Sequence, residues 1–125
     1  MLPRHELPQI PTKEIANFVQ FCQKSGIVVD AAKIGVMKLH PVQKHLNVDK
    51  VKKLLQQNIN VPLMISDGNY ILDGHHRWAA SAVRNKSAKI PCIRFQCSIQ
   101  ELFDLGHSFE VSMIKSIGEN RKTGY

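Results

Sequence analysis

No run of this sequence is apolar for anything near the ~20 residues that a membrane-spanning helix needs, because Lys, Asp or Gly interrupts each hydrophobic stretch. The opening Met1-Leu-Pro-Arg-His-Glu lacks the apolar segment of a secretory leader. The expected compartment is therefore the cytoplasm, with no membrane partner. Cysteine is also scarce. Cys22, Cys92 and Cys97 are an odd set without C-x-x-C spacing, each among apolar neighbours, which fits buried thiols in a reducing compartment better than metal ligands. Acid is the third shortage: ten Asp and Glu face seventeen Lys and Arg, for a net charge of +7. Such a balance favours an anionic partner, whether nucleotide, nucleic acid or acidic lipid, and does not name a reaction. Low-complexity sequence is absent too, and 43% hydrophobic with 22% charged residues is ordinary globular usage. A chain of 125 residues is long enough for one core and too short for two domains of usual size.

Three prolines, Pro3, Pro8 and Pro11, mark residues 1–11 as an extended arm that lies over the domain or is partly loose, outside the core. From Thr12, a suitable N-cap, Ile15, Phe18, Val19 and Cys22 recur at helical spacing until Gly26 stops them. Gly26-Ile-Val-Val and Ile34-Gly-Val-Met-Lys-Leu read as two short strands, followed by a loop over residues 40–46. Asn47 can cap a helix whose apolar face is Val48, Val51, Leu54 and Leu55. Lys50, Lys52 and Lys53 crowd its early turns, where the macrodipole repels cations unless an anion is held there. A solvated lysine face is the plain alternative. Later, Lys89-Ile-Pro-Cys-Ile-Arg-Phe reads as a strand, and Ser98-Ile-Gln-Glu is a capping box opening a helix that Gly106 should end. The arm, one mixed domain over residues 12–117, and a loose tail over residues 118–125 complete the expected layout, an α+β fold with a small sheet and helices packed around it.

The chemistry concentrates at one turn. Leu63-Met-Ile-Ser, Asp67-Gly and Asn69-Tyr-Ile-Leu form a hairpin pattern. The second strand ends at Asp73-Gly74, and His75-His-Arg-Trp-Ala-Ala-Ser-Ala-Val-Arg then opens a helix. The first N–H groups of such a helix have no internal partner and suit an anion. His76 and Arg77 add donors, and the guanidinium fork matches phosphate oxygens; His75 is placed to add a donor to a transferred group. Asp73 is the sole carboxylate of the turn, and three roles are open to it: holding magnesium, orienting a histidine or taking a proton from a hydroxyl. Adjacent histidines on a helix diverge, so a histidine-held metal is not expected. Trp78 should pack beneath the turn rather than stack on a base. An ordinary turn with surface histidines is the competing explanation for each residue singly; the five together favour phosphate.

Leu39-His-Pro-Val-Gln-Lys-His-Leu-Asn-Val-Asp-Lys-Val, a hairpin, and Ile71-Leu-Asp-Gly-His-His-Arg-Trp-Ala-Ala together resemble the ParB/sulfiredoxin superfamily, over about residues 34–105. That superfamily includes the nucleotide-binding domain of ParB partition proteins, sulfiredoxins and free serine kinases. The resemblance implies that Lys50, Gly74, His76 and Arg77 hold nucleotide phosphates. His75 stands where sulfiredoxins carry their catalytic cysteine, so sulfinic acid reduction is not implied. Gln43 stands where the serine kinases carry a glutamate that acts on the substrate hydroxyl. Since glutamine is no base, Asp73 takes that work or the substrate differs.

The resulting expectation is an ATP- or ADP-dependent kinase with Mg2+ at Asp73. Asp73, His75 and Gln43 lie at the reacting groups, and the acceptor is the hydroxyl of a small molecule such as free serine or of a hydroxymethylated pyrimidine in DNA. The rival is a ParB-like nucleic-acid-binding module or nuclease that senses nucleotide without phosphoryl transfer.

Overall fold

The computed structural model describes residues 7–57 and 61–123, with backbone alone from residue 116 onward. After a 3₁₀ turn at Thr12–Glu14 come α1 (Ile15–Lys24), β1 (Val29–Gly35), a second 3₁₀ turn at Val36–Lys38, α2 (Val48–Gln56), β2 (Leu63–Ser66), β3 (Ile71–Asp73), α3 (His75–Arg84), β4 (Lys89–Phe95) and α4 (Ile99–Thr123). The four strands form one sheet in the order β1-β4-β2-β3. β4 is antiparallel to β1 and parallel to β2, and β3 is antiparallel to β2. This is the expected α+β class.

Strand periodicity divides the core in two. Met64, Leu72 and Phe95 point to a cluster with Phe18, Cys22, Leu102 and Phe109 of α1 and α4. Leu63, Ile65, Ile71, Ile90 and Cys92 point the other way, onto Val36, Leu39 and Trp78. Alternate side chains take opposite faces, so with helices on both sides β2 is buried at every position, as a strand with parallel pairing and two covered faces must be. Phe18 joins the helices to the sheet, with ring centroids 5.4 Å from Phe95 and 5.3 Å from Phe109. Pro91, which has no N–H to give, sits in β4 opposite Lys33 of β1, one residue before the β2 pairing begins at Cys92.

α2 has no buried residue and packs on α3. Its start is tied by the Asn47 N–H donating to His76 Nε2 at 2.9 Å, and its end by Arg84, which donates to the carbonyls of Leu54, Leu55 and Gln57 at 2.6 to 2.9 Å. Start lies by start and end by end, so the two helices run parallel and both N-termini face the same end of the domain.

Several expectations need correction. One strand at residues 29–35 replaces the two short ones, because pairing with β4 runs through the polar Asp30 and Lys33. The hairpin connection spans residues 67–70 with Asn69, not Gly68, at positive φ (66°). Thr12 begins a 3₁₀ turn rather than capping α1. Val48 is 64% exposed instead of facing the core. The capping box forms, with the Glu101 N–H donating to Ser98 Oγ at 3.1 Å, but Gly106 does not end the helix, which continues to Thr123. The tail expected to be loose is therefore helical over residues 118–123. Gly106 answers a different need: a Cβ there would lie 2.6 Å from Cβ and Cγ of Pro8. The arm, expected outside the core, buries Leu7, Pro8 and Ile10 against this surface; residues 1–6 lie outside the described residues. Trp78 packs as expected, its Nε1–H donating to the Val36 carbonyl at 2.8 Å. All three cysteines are buried and free. Burial pushes the thiol of Cys22 up to about 12 and that of Cys92 up to about 11, so both stay protonated and unreactive near neutrality.

Overpacking at a close approach costs roughly 1–3 kcal/mol. Gly106→Ala should lower the urea-unfolding free energy by that amount without changing the far-ultraviolet helix signal.

Candidate functional site

The strand-to-helix turn works because Gly74 has φ +104°, a region open to glycine and costly for residues with a Cβ. Space is equally restrictive. A Cβ at Gly74 would stand 2.4 Å from Leu63 Cδ2 and 2.8 Å from a guanidinium nitrogen of Arg77. The bare backbone thus lets Arg77 lie across the turn that begins its own helix.

Around this turn is a cavity of about 280 Å³. Residues 73–77, Lys50 and Leu54 of α2, Gln43, and Leu7, Gln9 and Thr12 of the arm are among its lining residues. The lower end of the usual range for small-ligand sites is about 300 Å³. The first turn of α3 opens beside it, and the N-terminal turn of the parallel α2 brings Lys50 to the same space. Each helix start carries roughly half a positive charge, so the field at this wall is positive before any side chain is counted.

The structure brings together all seven residues singled out in the sequence: Gln43, Lys50, Asp73, Gly74, His75, His76 and Arg77 all line this cavity. They play different parts. His75 is 3% exposed, and its Nε2 accepts the main-chain N–H groups of Val42 at 3.0 Å and Gln43 at 3.2 Å. Burial, reinforced by the neighbouring His76, pushes its pKa down to about 4, so the ring is neutral at pH 7. Nε2 is thereby engaged in holding the 41–43 loop, and the proton of the neutral ring lies on Nδ1. His76 Nε2 likewise accepts from Asn47, which fixes the start of α2. Gln43 is buried, and its carboxamide donates to the His45 carbonyl.

Arg77 is held at one corner by the Pro62 carbonyl at 3.4 Å. Its Nε is buried with no protein partner. Burial works against its charge and lowers its pKa, opposed by the nearby Asp73 carboxylate. A half-buried guanidinium whose Nε is a buried, unused donor, against a glycine cradle that a methyl group would fill, is the donor set a phosphate group requires. The residues present therefore fit a polyphosphate. Among the described residues no group of three or more His, Cys, Asp or Glu is placed to hold a metal ion; a magnesium ion here would rest on Asp73 and on phosphate oxygens, its usual mode of binding. No helix among the described residues is long and apolar enough to cross a membrane.

Sequence reasoning missed the arm. Leu7, Gln9 and Thr12 line the cavity, and the one available signal was Gly106 inside a run of helix formers, a mark of close backbone approach.

The chain has a ParB-N-like fold. A solved structure of a Pnob8-like ParB-N domain superposes on this chain with a TM-score of 0.52 at 14% identity, covering 66% of this chain and 36% of that one. The chain thus spans little more than a third of that structure's length, and the likeness is one of fold. No family model matches the sequence, and no curated protein does.

Because the folded-state pKa of His75 is depressed from 6.5 to about 4, the unfolded chain binds the extra proton between those values. The contribution of this histidine is then complete above about pH 6.5 and is lost as the pH falls through 4. At 1.36 kcal/mol per unit this amounts to about 3 kcal/mol. Urea-unfolding free energies from pH 7.5 to 4 should fall accordingly in the wild type, and much less steeply in His75→Gln, whose carboxamide oxygen accepts without titrating.

Proposed function

We propose that this protein binds ATP or ADP through its phosphates at the Gly74 turn and transfers a phosphoryl group to an acceptor hydroxyl. The observation that carries this reading is the meeting of two parallel helix N-termini at a cavity holding the glycine cradle and the half-buried Arg77, whose Nε is without a protein partner. Phosphoryl transfer asks a protein mainly for positioning and for neutralisation of charge on the phosphate oxygens. Arg77, Lys50 and the amides after Gly74 supply that neutralisation. Asp73 is the residue that would hold Mg2+, which would supply further positive charge to the phosphates.

Asp73 accepts the acceptor's proton as the hydroxyl oxygen bonds to the terminal phosphorus, and the electrons of the bridging P–O bond depart with the nucleotide. Gln43 lines the cavity at the position of the kinase glutamate and has no proton-accepting carboxylate, so it orients the acceptor as a hydrogen-bonding group. His75 and His76 act on the fold of the site, holding the 41–43 loop and the start of α2. The acceptor is a small molecule such as free serine or a hydroxymethylated pyrimidine in DNA.

One observation favours the second reading, a nucleic-acid-binding module or nuclease that senses nucleotide without transfer. Eleven of the seventeen Lys and Arg, against three of the ten acidic residues, fall within residues 31–94, so the positive charge is concentrated on the segment that carries α2, α3 and the site.

Incubation with terminally labelled ATP, and with labelled ADP, against free serine, nucleosides and hydroxymethylated DNA separates the two. Label on an acceptor is the expected result; a salt-sensitive gel shift with no label on any acceptor supports the module instead. Asp73→Asn should abolish transfer while nucleotide affinity stays within about threefold. Arg77→Ala should weaken that affinity by about ten- to a hundredfold, the worth of a charge-assisted hydrogen bond.

A further inference from the structure

The arm was expected to lie over the domain or be partly loose, outside the core, yet residues 7–12 help to line the cavity. Three anchors hold it on α4 and the core: Ile10 is buried with Phe18 and Phe109, Pro8 rests on the bare backbone of Gly106, and the Gln9 main-chain N–H donates to Glu110 Oε1 at 2.8 Å. Held this way, Leu7, Gln9 and Thr12 reach the cavity that Gly74, His76 and Arg77 line.

The two contributions differ in chemistry. α2 and α3 bring Lys50, Arg77 and two helix starts, all attractive to phosphate. The arm brings an isobutyl group, a carboxamide and a hydroxyl, with no charge among them. An uncharged wall adds little to the capture of a dianion, whereas the Gln9 carboxamide, whose Nε2 donates to the Leu7 carbonyl at 3.2 Å, and the Thr12 hydroxyl are groups of the kind that hydrogen-bond neutral hydroxyls. Anchoring at three points means that these groups are ordered before a ligand arrives, which reduces the entropy lost on binding.

We infer that residues 7–12 are the specificity wall of this site, with Gln9 and Thr12 hydrogen-bonding the neutral, hydroxyl-bearing part of the ligand beside its phosphates. That part is either the ribose of the nucleotide or the acceptor. The inference rests on the phosphate reading of the cavity and adds to it the residues that discriminate among phosphate-bearing ligands.

Calorimetric titration of the full chain with pyrophosphate and with ADP, alongside ATP-dependent phosphorylation of serine, tests both. The variants are the double substitution Gln9→Ala with Thr12→Ala, confined to exposed side chains, and Gly106→Ala, which displaces the arm through Pro8 while leaving the lining side chains chemically unchanged. Two neutral hydrogen bonds correspond to about a tenfold change in affinity. The expected result in both variants is pyrophosphate affinity within about twofold of wild type, with ADP affinity reduced about tenfold if the arm reads ribose. If it reads the acceptor, ADP affinity holds and the KM for serine rises by a similar factor. Equal losses for pyrophosphate and ADP overturn the inference, as do unchanged ADP affinity with an unchanged KM, or with no acceptor turnover at all. Failure of the wild type to bind pyrophosphate overturns the phosphate reading, and the arm's role with it.

Discussion

The absence of a side chain at Gly74 is the constraint on which the site depends. The residue must turn the chain from β3 into α3 at positive φ while Leu63 of β2 and the Arg77 guanidinium both press on the space a Cβ would take. Packing of the second core cluster through Leu63 and the approach of Arg77 to the cavity are thus settled at one atom. Any larger residue would force apart either the sheet or the guanidinium, and the helix amides would no longer open beside Arg77.

A second dependence runs from α3 to α2. α2 buries none of its side chains, so little hydrophobic burial holds it. Hydrogen bonds at its two ends, from Asn47 to His76 and from Arg84 to the last carbonyls, set it parallel to α3. This arrangement brings Lys50, near the start of α2, to the cavity beside the start of α3. The histidines emerge as acceptors of main-chain N–H groups that hold the loop and helix around the cavity. His75 does this in a buried setting that keeps it neutral, so the positive character of the site comes from arginine, lysine and helix ends.

Much of this was legible along the chain because the signals are local. Asp73-Gly-His-His-Arg after an apolar run gave the glycine turn and the helix start, Asn47 gave the cap of α2, and residues 89–95 gave β4 without adjustment. The errors share a cause in contacts between distant segments. β1 includes Asp30 and Lys33 because β4 supplies its partners, whatever their polarity. Gly106 was read as a stop because glycine's local meaning is flexibility, whereas its role here is to admit Pro8 from nearly a hundred residues away. Val48 fits a helical stripe that has no core facing it.

The sequence alone determined where the glycine turn, the start of α3 and the cations beside it would fall, since these follow from neighbours in the chain. Only the tertiary structure decided which lysine shares that space, that both histidine Nε2 atoms are committed to the backbone, and that an uncharged arm forms the remaining lining. Those outcomes depend on the parallel docking of α2 on α3 and on the fit of the arm to α4. Neither leaves a periodic pattern in the sequence, because a close approach between remote segments is a property of their surfaces rather than of the order of residues in either one.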